Sequence, residues 1–330
     1  MCVQAIHFLF IVGGFLIASV AWGKNANPFP TAELDRIARE FDGRLGVYMK
    51  DLREGVIYGF QEDQRFPSAS AIKLPIMIAL YREAAAGRID LASKSEMPAD
   101  ISRHGTGSLS GQEGRITLSI REYCRLMMTQ SDNMATDQVI RILGLPTING
   151  FLEDQGFRGT RLAMEIGRWH YLLVGMDRDP VNPVNDRKFD ERMRAKHFVD
   201  SGPGYSASLD NNVICPIEMG VLLEKLHRGE LADAAATAEM LGLMTESGPG
   251  RIGKYLRADV RVAKKHGSSR RIGTDAGLIY LKHGPLVFVA CVLEKDAASS
   301  RGRELISHFA KLACEALEPG STIDPPASNP

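Results

Sequence analysis

Hydrophobic positions change spacing several times along the chain, and each change marks an element. Residues 5 to 23, from Ala5 to Gly23, are one apolar stretch followed by the polar Lys24-Asn25-Ala26-Asn27-Pro28. Leu34, Ile37, Ala38 and Phe41 then recur at helical period, with Thr31 placed to cap the helix. Two alternating stretches, 44–50 and 55–60, flank Asp51-Leu52-Arg53-Glu54 and predict a hairpin. An apolar run opening at Ser70 predicts a helix through Arg82; Pro75 costs little in its first turn and would bend the helix further on. From about 84 to 160 alternation is absent, and the pattern predicts helices joined by Gly-rich loops such as Arg103–Ser108. One helix spans Ser119–Met128 and another starts at Ala135, with Thr129-Gln130-Ser131-Asp132-Asn133 between them. An irregular stretch rich in Arg, Asp and Pro follows Leu162 as far as about Asn212, a length that marks a functional or mobile flap. Helices return at Pro216–Arg228 and through Leu241–Thr245, then β-rich runs at 260–265, 278–281 and 286–293, and a last helix from about Ser300 to Leu317. Residues 318–330 are rich in Pro and Ser and are expected to be disordered. Strands at both ends with helices between them predict an α+β fold: one antiparallel sheet, closed by the N-terminal hairpin, beside a helical lobe.

Composition narrows the function classes. Forty basic and forty acidic residues among 330 leave no net charge, which gives no support to a nucleic-acid or polyanion partner and points to small-molecule or peptide chemistry. The stretch 5–23, with Ser19 and Ala21 before a possible cut, reads as a secretory signal, or alternatively as an uncleaved membrane anchor. Both readings predict export. Cys2 precedes the apolar run and is no lipid acceptor; Cys124, Cys215, Cys291 and Cys314 show no C-x-x-C spacing, so neither zinc nor another cofactor is expected. Buried thiols are the default for these four, with a disulfide open in an exported protein.

Three short motifs carry chemistry. Ser70-Ala71-Ile72-Lys73 puts a hydroxyl and an amine on one helical face, so that Lys73 is placed to take a proton from Ser70; Ser70 as a mere helix cap is the alternative. Ser131-Asp132-Asn133 sits at a helical junction, where capping is again the simplest role. Lys265-His266-Gly267 ends a strand, where a charged strand end followed by a Gly turn is the plain reading.

Taken together in this order, the three motifs resemble the class A β-lactamase and penicillin-recognising serine hydrolase family, whose motif set is Ser-x-x-Lys, Ser-Asp-Asn and Lys-Thr-Gly. Flanking text agrees: Gly46-Val47 with Asp51-Leu52, Phe66-Pro67, Thr117-Leu118, Asn133-Met134-Ala135-Thr136 and Asp275-Ala276-Gly277. The resemblance covers about residues 31–317 apart from the loop after Leu162. It implies a β-lactamase/transpeptidase-like fold, with a five-stranded antiparallel sheet flanked by helices and an all-helical lobe. The domain would run over 24–317, its α/β part from 31–66 and 217–317, its lobe over about 70–215 with an extended loop at 163–212. By the same resemblance, Ser70 attacks a carbonyl to form an acyl-enzyme, Lys73 is its base or proton relay, and Ser131 passes a proton to the departing nitrogen. Asn133 would hold the substrate's amide and Lys265 its carboxylate. The amides of Ser70 and Ser268 would form an oxyanion hole beside Gly267.

Two departures stand out. His266 replaces the usual hydroxyl residue; an imidazole donates more strongly when protonated, so activity is expected to fall as pH rises through its titration. The family also carries a Glu followed four residues later by Asn, the pair that positions the hydrolytic water. Here Ala163-Met164-Glu165-Ile166-Gly167-Arg168-Trp169 does not keep it; Glu165 is the nearest carboxylate, with Trp169 where Asn is expected. Three functions follow: a β-lactamase acting on β-lactams or related amides, a penicillin-binding peptidase or esterase, and a non-catalytic sensor that stays acylated. The intact Ser/Lys/Ser/Asn/Lys set favours an enzyme. A monomer with a small-molecule β-lactam or peptide-like substrate is expected.

Overall fold

The computed structural model describes residues 27–324. The stretch 5–23 therefore lies outside the described residues. Ten α-helices occur in chain order among them: α1 Thr31–Arg39, α2 Lys73–Ala85, α3 Ile120–Thr129, α4 Asn133–Leu143, α5 Leu145–Asp154, α6 Ile166–Leu173, α7 Pro183–Arg194, α8 Pro216–His227, α9 Ala234–Glu246 and α10 Arg301–Leu317. Five strands form the main sheet: β1 Gly43–Asp51, β2 Ile57–Phe60, β7 Arg261–Ser268, β8 Ile272–Tyr280 and β9 Pro285–Glu294. Between β2 and β7 in the chain, β3 Phe66–Pro67 pairs with β6 Val213–Ile214, and β4 Lys94–Glu96 with β5 Thr117–Ser119. The main sheet is antiparallel throughout, in the order β2-β1-β9-β8-β7. The fold is thus the expected α+β arrangement.

The apolar run 286–293 is continuous because β9 is covered on both faces, and its period of two decides which core each residue enters. Val287, Val289 and Cys291 join the large core shared with the helical lobe, while Leu286, Phe288, Ala290 and Val292 join the core made with α1 and α10. In the lobe, α2 is the central helix: every residue from Lys73 to Tyr81 is buried, which explains why its sequence shows little amphipathic contrast.

Several sequence expectations are corrected. Thr31 is the first helical residue and makes no cap; Pro30 holds the N-cap position, where its fixed φ suits the entry. Alternation over three residues is too short to register, so the β4–β5 pair is missing from the pattern. The 163–212 stretch is not irregular throughout, since α6 and α7 both lie in it, α6 packing on α4 and α7 burying Phe189 in a small core with Tyr171, Val174 and Met176. Ser321–Ile323, expected to be disordered, is pinned: Arg257 N donates to Ser321 O at 3.0 Å and Ile323 N to Tyr255 O at 2.9 Å. The four cysteines are buried free thiols.

Candidate active site

Ser70 sits in a 3₁₀ turn, Ala69–Ile72, that leads directly into α2, and no side chain caps either element. Ala69 before it has φ +41°, and Ser131 has φ +57°. Such left-handed conformations in non-glycine residues cost about 1–3 kcal/mol each, and they cluster where geometry is held for function. Both flank a cavity of about 200 Å³ lined by Ser70, Thr106, Ser131, Lys265, His266 and Ser268 among others.

The junction that carries Ser131 is locked by its neighbours. Asp132 caps α4, accepting from Ala135 N at 2.9 Å, and its other oxygen accepts from Leu109 N at 2.8 Å. Gly107, with φ +106°, lets the loop pass so close that an added Cβ would lie 2.2 Å from the Asp132 carboxylate. Thr106 Oγ1 donates to Ser131 O at 2.8 Å, and Asn133 N donates to Thr106 O at 3.0 Å.

Lys73 is wholly buried and donates to Ser131 O at 2.7 Å, Ser131 Oγ at 3.2 Å and Asn133 Oδ1 at 2.7 Å. Lys265, from β7, donates to the same Ser131 Oγ at 3.1 Å and to His266 O at 3.0 Å. A hydroxyl has two lone pairs; with a lysine on each, its own O–H is left to point elsewhere. Burial is the main force on both amines. It lowers Lys73 to about 7, with Asp137 and Asp132 opposing, and it pushes Lys265 well below the ordinary lysine value, helped by the charges of Lys73 and Lys264.

The third motif lies along β7, whose end is pressed against the Ser70 turn. A Cβ at Gly267 would lie 2.6 Å from Ser70 N and 2.8 Å from Ala71 N. Only glycine lets the two backbones meet this closely. Arg251 braces the strand, donating to Asp275 Oδ2 at 2.6 Å and to Gly267 O at 2.8 Å. His266 behaves differently from the sequence expectation. Lys264 Nζ lies 2.9 Å from its Nδ1, and a lysine only donates, so Nδ1 is the unprotonated nitrogen and Nε2 carries the hydrogen. Burial and the charges of Lys265, Lys264 and Arg251 push the ring down to about 3. The expected fall of activity through an imidazole titration near neutrality is therefore withdrawn; His266 donates as a neutral ring across the working range.

Ser70, Lys73, Ser131, Asn133, Lys265, His266, Gly267 and Ser268 thus converge, whereas Glu165 stands apart. Its carboxylate is held by Arg141, Nε to Oε1 at 2.8 Å and Nη2 to Oε2 at 3.1 Å, and it lines neither the cavity beside Ser70 nor the adjoining one. Asp137 fixes the start of α6 instead, accepting from Ile166 N at 2.6 Å and Gly167 N at 2.9 Å; burial raises it to about 7.

Sequence reasoning missed two histidines. His170, on α6, places Nε2 3.5 Å from Asn133 Nδ2, and its Nδ1 lies 3.5 Å from Nδ1 of His104. Both rings line a second cavity of about 450 Å³ that shares Thr106 and Ser268 with the first. Burial, with His104 and Lys73 nearby, pushes His170 down to about 3. Spacing alone gave no signal, because His104 is 66 residues from His170.

A five-stranded sheet and a helical lobe together bring a serine beside two buried lysines and a second serine. The chain belongs to the β-lactamase enzyme family, whose model matches residues 30–317. It is 30% identical to β-lactamase FAR-1 of Nocardia farcinica over 47% of this chain and 49% of that protein, so the match spans about half of that relative's length. It is 24% identical to β-lactamase SME-1 of Serratia marcescens over 94% of this chain and 96% of that one. Among solved structures, a β-lactamase from Sphaerobacter thermophilus shares the fold with a TM-score of 0.69 at 23% identity, over 87% of this chain and 96% of that one.

Proposed function

We propose that the chain is a serine hydrolase of the class A β-lactamase type that acylates Ser70 with a β-lactam or related amide and hydrolyses the acyl-enzyme. The observation that carries this reading is Ser131 Oγ accepting from both Lys73 and Lys265 beside Ser70. With both lone pairs taken, the Ser131 proton is free for a departing nitrogen, and Lys73 replaces it. Lys73, once it has lost a proton to solvent and released one of its three contacts, removes the Ser70 proton while Oγ attacks the carbonyl carbon. Ser70 N and Ser268 N receive the developing oxyanion, a term worth roughly 3–4 kcal/mol per donor. Asn133 offers its amide to the substrate's side-chain amide. Lys265 and the neutral Nε2–H of His266 bind the substrate carboxylate, whose charge Lys264 and Lys265 attract.

Export is part of the proposal and rests on the 5–23 stretch; among the described residues no helix is long and apolar enough to cross a membrane. A monomeric state belongs to it too. The assay is hydrolysis of a chromogenic cephalosporin by the purified chain: turnover lost in Ser70→Ala and in Lys73→Met supports the reading, and turnover retained in Ser70→Ala refutes it. One observation favours a second reading. Glu165 is bound by Arg141, so an acyl-enzyme that persists would place the chain with penicillin-binding peptidases.

A further inference from the structure

Hydrolysis of an acyl-enzyme needs a base beside the acyl carbon, and Glu165 is engaged by Arg141. The orientation of one amide identifies the alternative. Lys73 Nζ donates to Asn133 Oδ1 at 2.7 Å, which sets the Asn133 oxygen toward Lys73 and its NH₂ toward His170. The His170 Nε2 opposite that NH₂ then has to be the nitrogen with the lone pair, and its hydrogen resides on Nδ1. Nδ1 lies 3.5 Å from Nδ1 of His104, which must in turn be unprotonated there and carry its hydrogen on Nε2. His104 Nε2 is 3.5 Å from Asp186 Oδ1 and has no better partner. Asp186 is buried and fixed by Ser102 Oγ at 2.8 Å, Arg103 N at 2.6 Å and Tyr171 OH at 2.8 Å. Every hydrogen along this line runs the same way, from Asn133 to the carboxylate.

The line is also built to stay in place. Phe189 stacks on His104 with ring centroids 3.6 Å apart and planes within 10°. Phe189 and Asp186 both come from α7, so the 163–212 stretch supplies the carboxylate and the ring that hold His104. At the other end His170 lines the cavity that adjoins Ser70.

Resting on the acyl-enzyme reading above, we infer that His170 is the base that activates the deacylating water, with His104 and Asp186 as positioning residues behind it. A water donating to Nε2 replaces the long Asn133 contact. Its oxygen bonds to the acyl carbon as its proton moves to Nε2, and Asp186 favours the imidazolium through His104 against the burial and the Lys73 charge that push the resting ring down to about 3. When the tetrahedral intermediate collapses, the bond from carbon to Ser70 Oγ breaks and the proton on Nε2 passes to that oxygen. One water is consumed, one acid is released and the serine is restored.

The test is intact mass of the full chain against time after mixing with benzylpenicillin, for the native protein, His170→Ala, His170→Glu, Asp186→Asn and Glu165→Gln. Expected is a Ser70 adduct that forms in His170→Ala at close to the native rate, which also reports that the variant is folded, and decays about 10²- to 10⁴-fold more slowly. His170→Glu should restore much of the decay, since a carboxylate can serve as the base. Asp186→Asn should slow decay by a smaller factor and leave adduct formation intact, a split that loss of packing alone would not give. A solvent deuterium isotope effect on native decay, absent from residual decay in His170→Ala, completes the expected result. Native-like decay in His170→Ala, trapping by Glu165→Gln instead, or a persistent adduct on the native protein overturns the inference while leaving Ser70 acylation standing. Absence of any adduct on the native protein overturns both.

Discussion

Gly267→Ala tests whether the contact between β7 and the Ser70 turn forms the oxyanion site. A Cβ there would lie 2.6 Å from Ser70 N, 2.8 Å from Ala71 N and 2.5 Å from Thr274 Oγ1. Ordinary contact begins at 3.4 Å, so the strand or the turn must move by about 3.4 − 2.6 = 0.8 Å. Neither moves freely: Arg251 pins Gly267 O, and Thr274 Oγ1 donates to Ser68 O at 2.8 Å, tying β8 to the residues just before the serine. A displacement near 1 Å between two oxyanion donors costs roughly 10²-fold in rate, and full loss of one donor 10²- to 10³-fold. Overpacking of this size destabilises by about 1–3 kcal/mol, which a domain of this size survives. The measurement is the second-order acylation rate with benzylpenicillin, with a urea melt as the control for folding. A folded Gly267→Ala protein that acylates within threefold of native would refute the assignment of Ser70 N and Ser268 N as the oxyanion donors.

Three further outcomes are expected. Burial disfavours the Lys73 ammonium and brings it to about 7, so the acylation rate should rise with pH through a midpoint near 7 and level off above it; a rate that falls across that range contradicts Lys73 as the base. His266 is neutral above about 3, so His266→Thr should leave the shape of that profile unchanged between pH 5 and 8, on the order of one charge state throughout, and disappearance of a transition in the variant would show that the ring titrates. Asp132→Ala removes the cap of α4 and strands the buried Leu109 N–H, costing about 2–4 kcal/mol in a urea melt, and a change below 1 kcal/mol would mean that the Gly105–Leu109 loop is held by other bonds.

The proposed catalytic set was legible in the sequence because each piece is local. Ser70 and Lys73 are three apart, Ser131 and Asn133 adjoin one helix start, and Lys265 through Ser268 share a strand. What was not legible depends on pairings across the fold. Arg141 neutralises Glu165 from 24 residues away, and Lys264 fixes the His266 tautomer only because alternate residues of a strand share a face. The 163–212 stretch looked irregular because seven of the twelve residues of α7 are charged and the helix buries only Asp186 and Phe189. Its packing against the site emerges only when His104, His170 and Phe189 are seen stacked together. In the sheet, by contrast, the apolar run 286–293 was readable, since burial on both faces leaves no polar positions to confuse it.

The most direct measurement of the central claim is peptide mapping by mass spectrometry after brief exposure of the native chain to benzylpenicillin. One acyl group is expected, carried on Ser70, and none in Ser70→Ala. An unmodified Ser70 peptide at saturating penicillin, or an acyl group on a different residue, would contradict it.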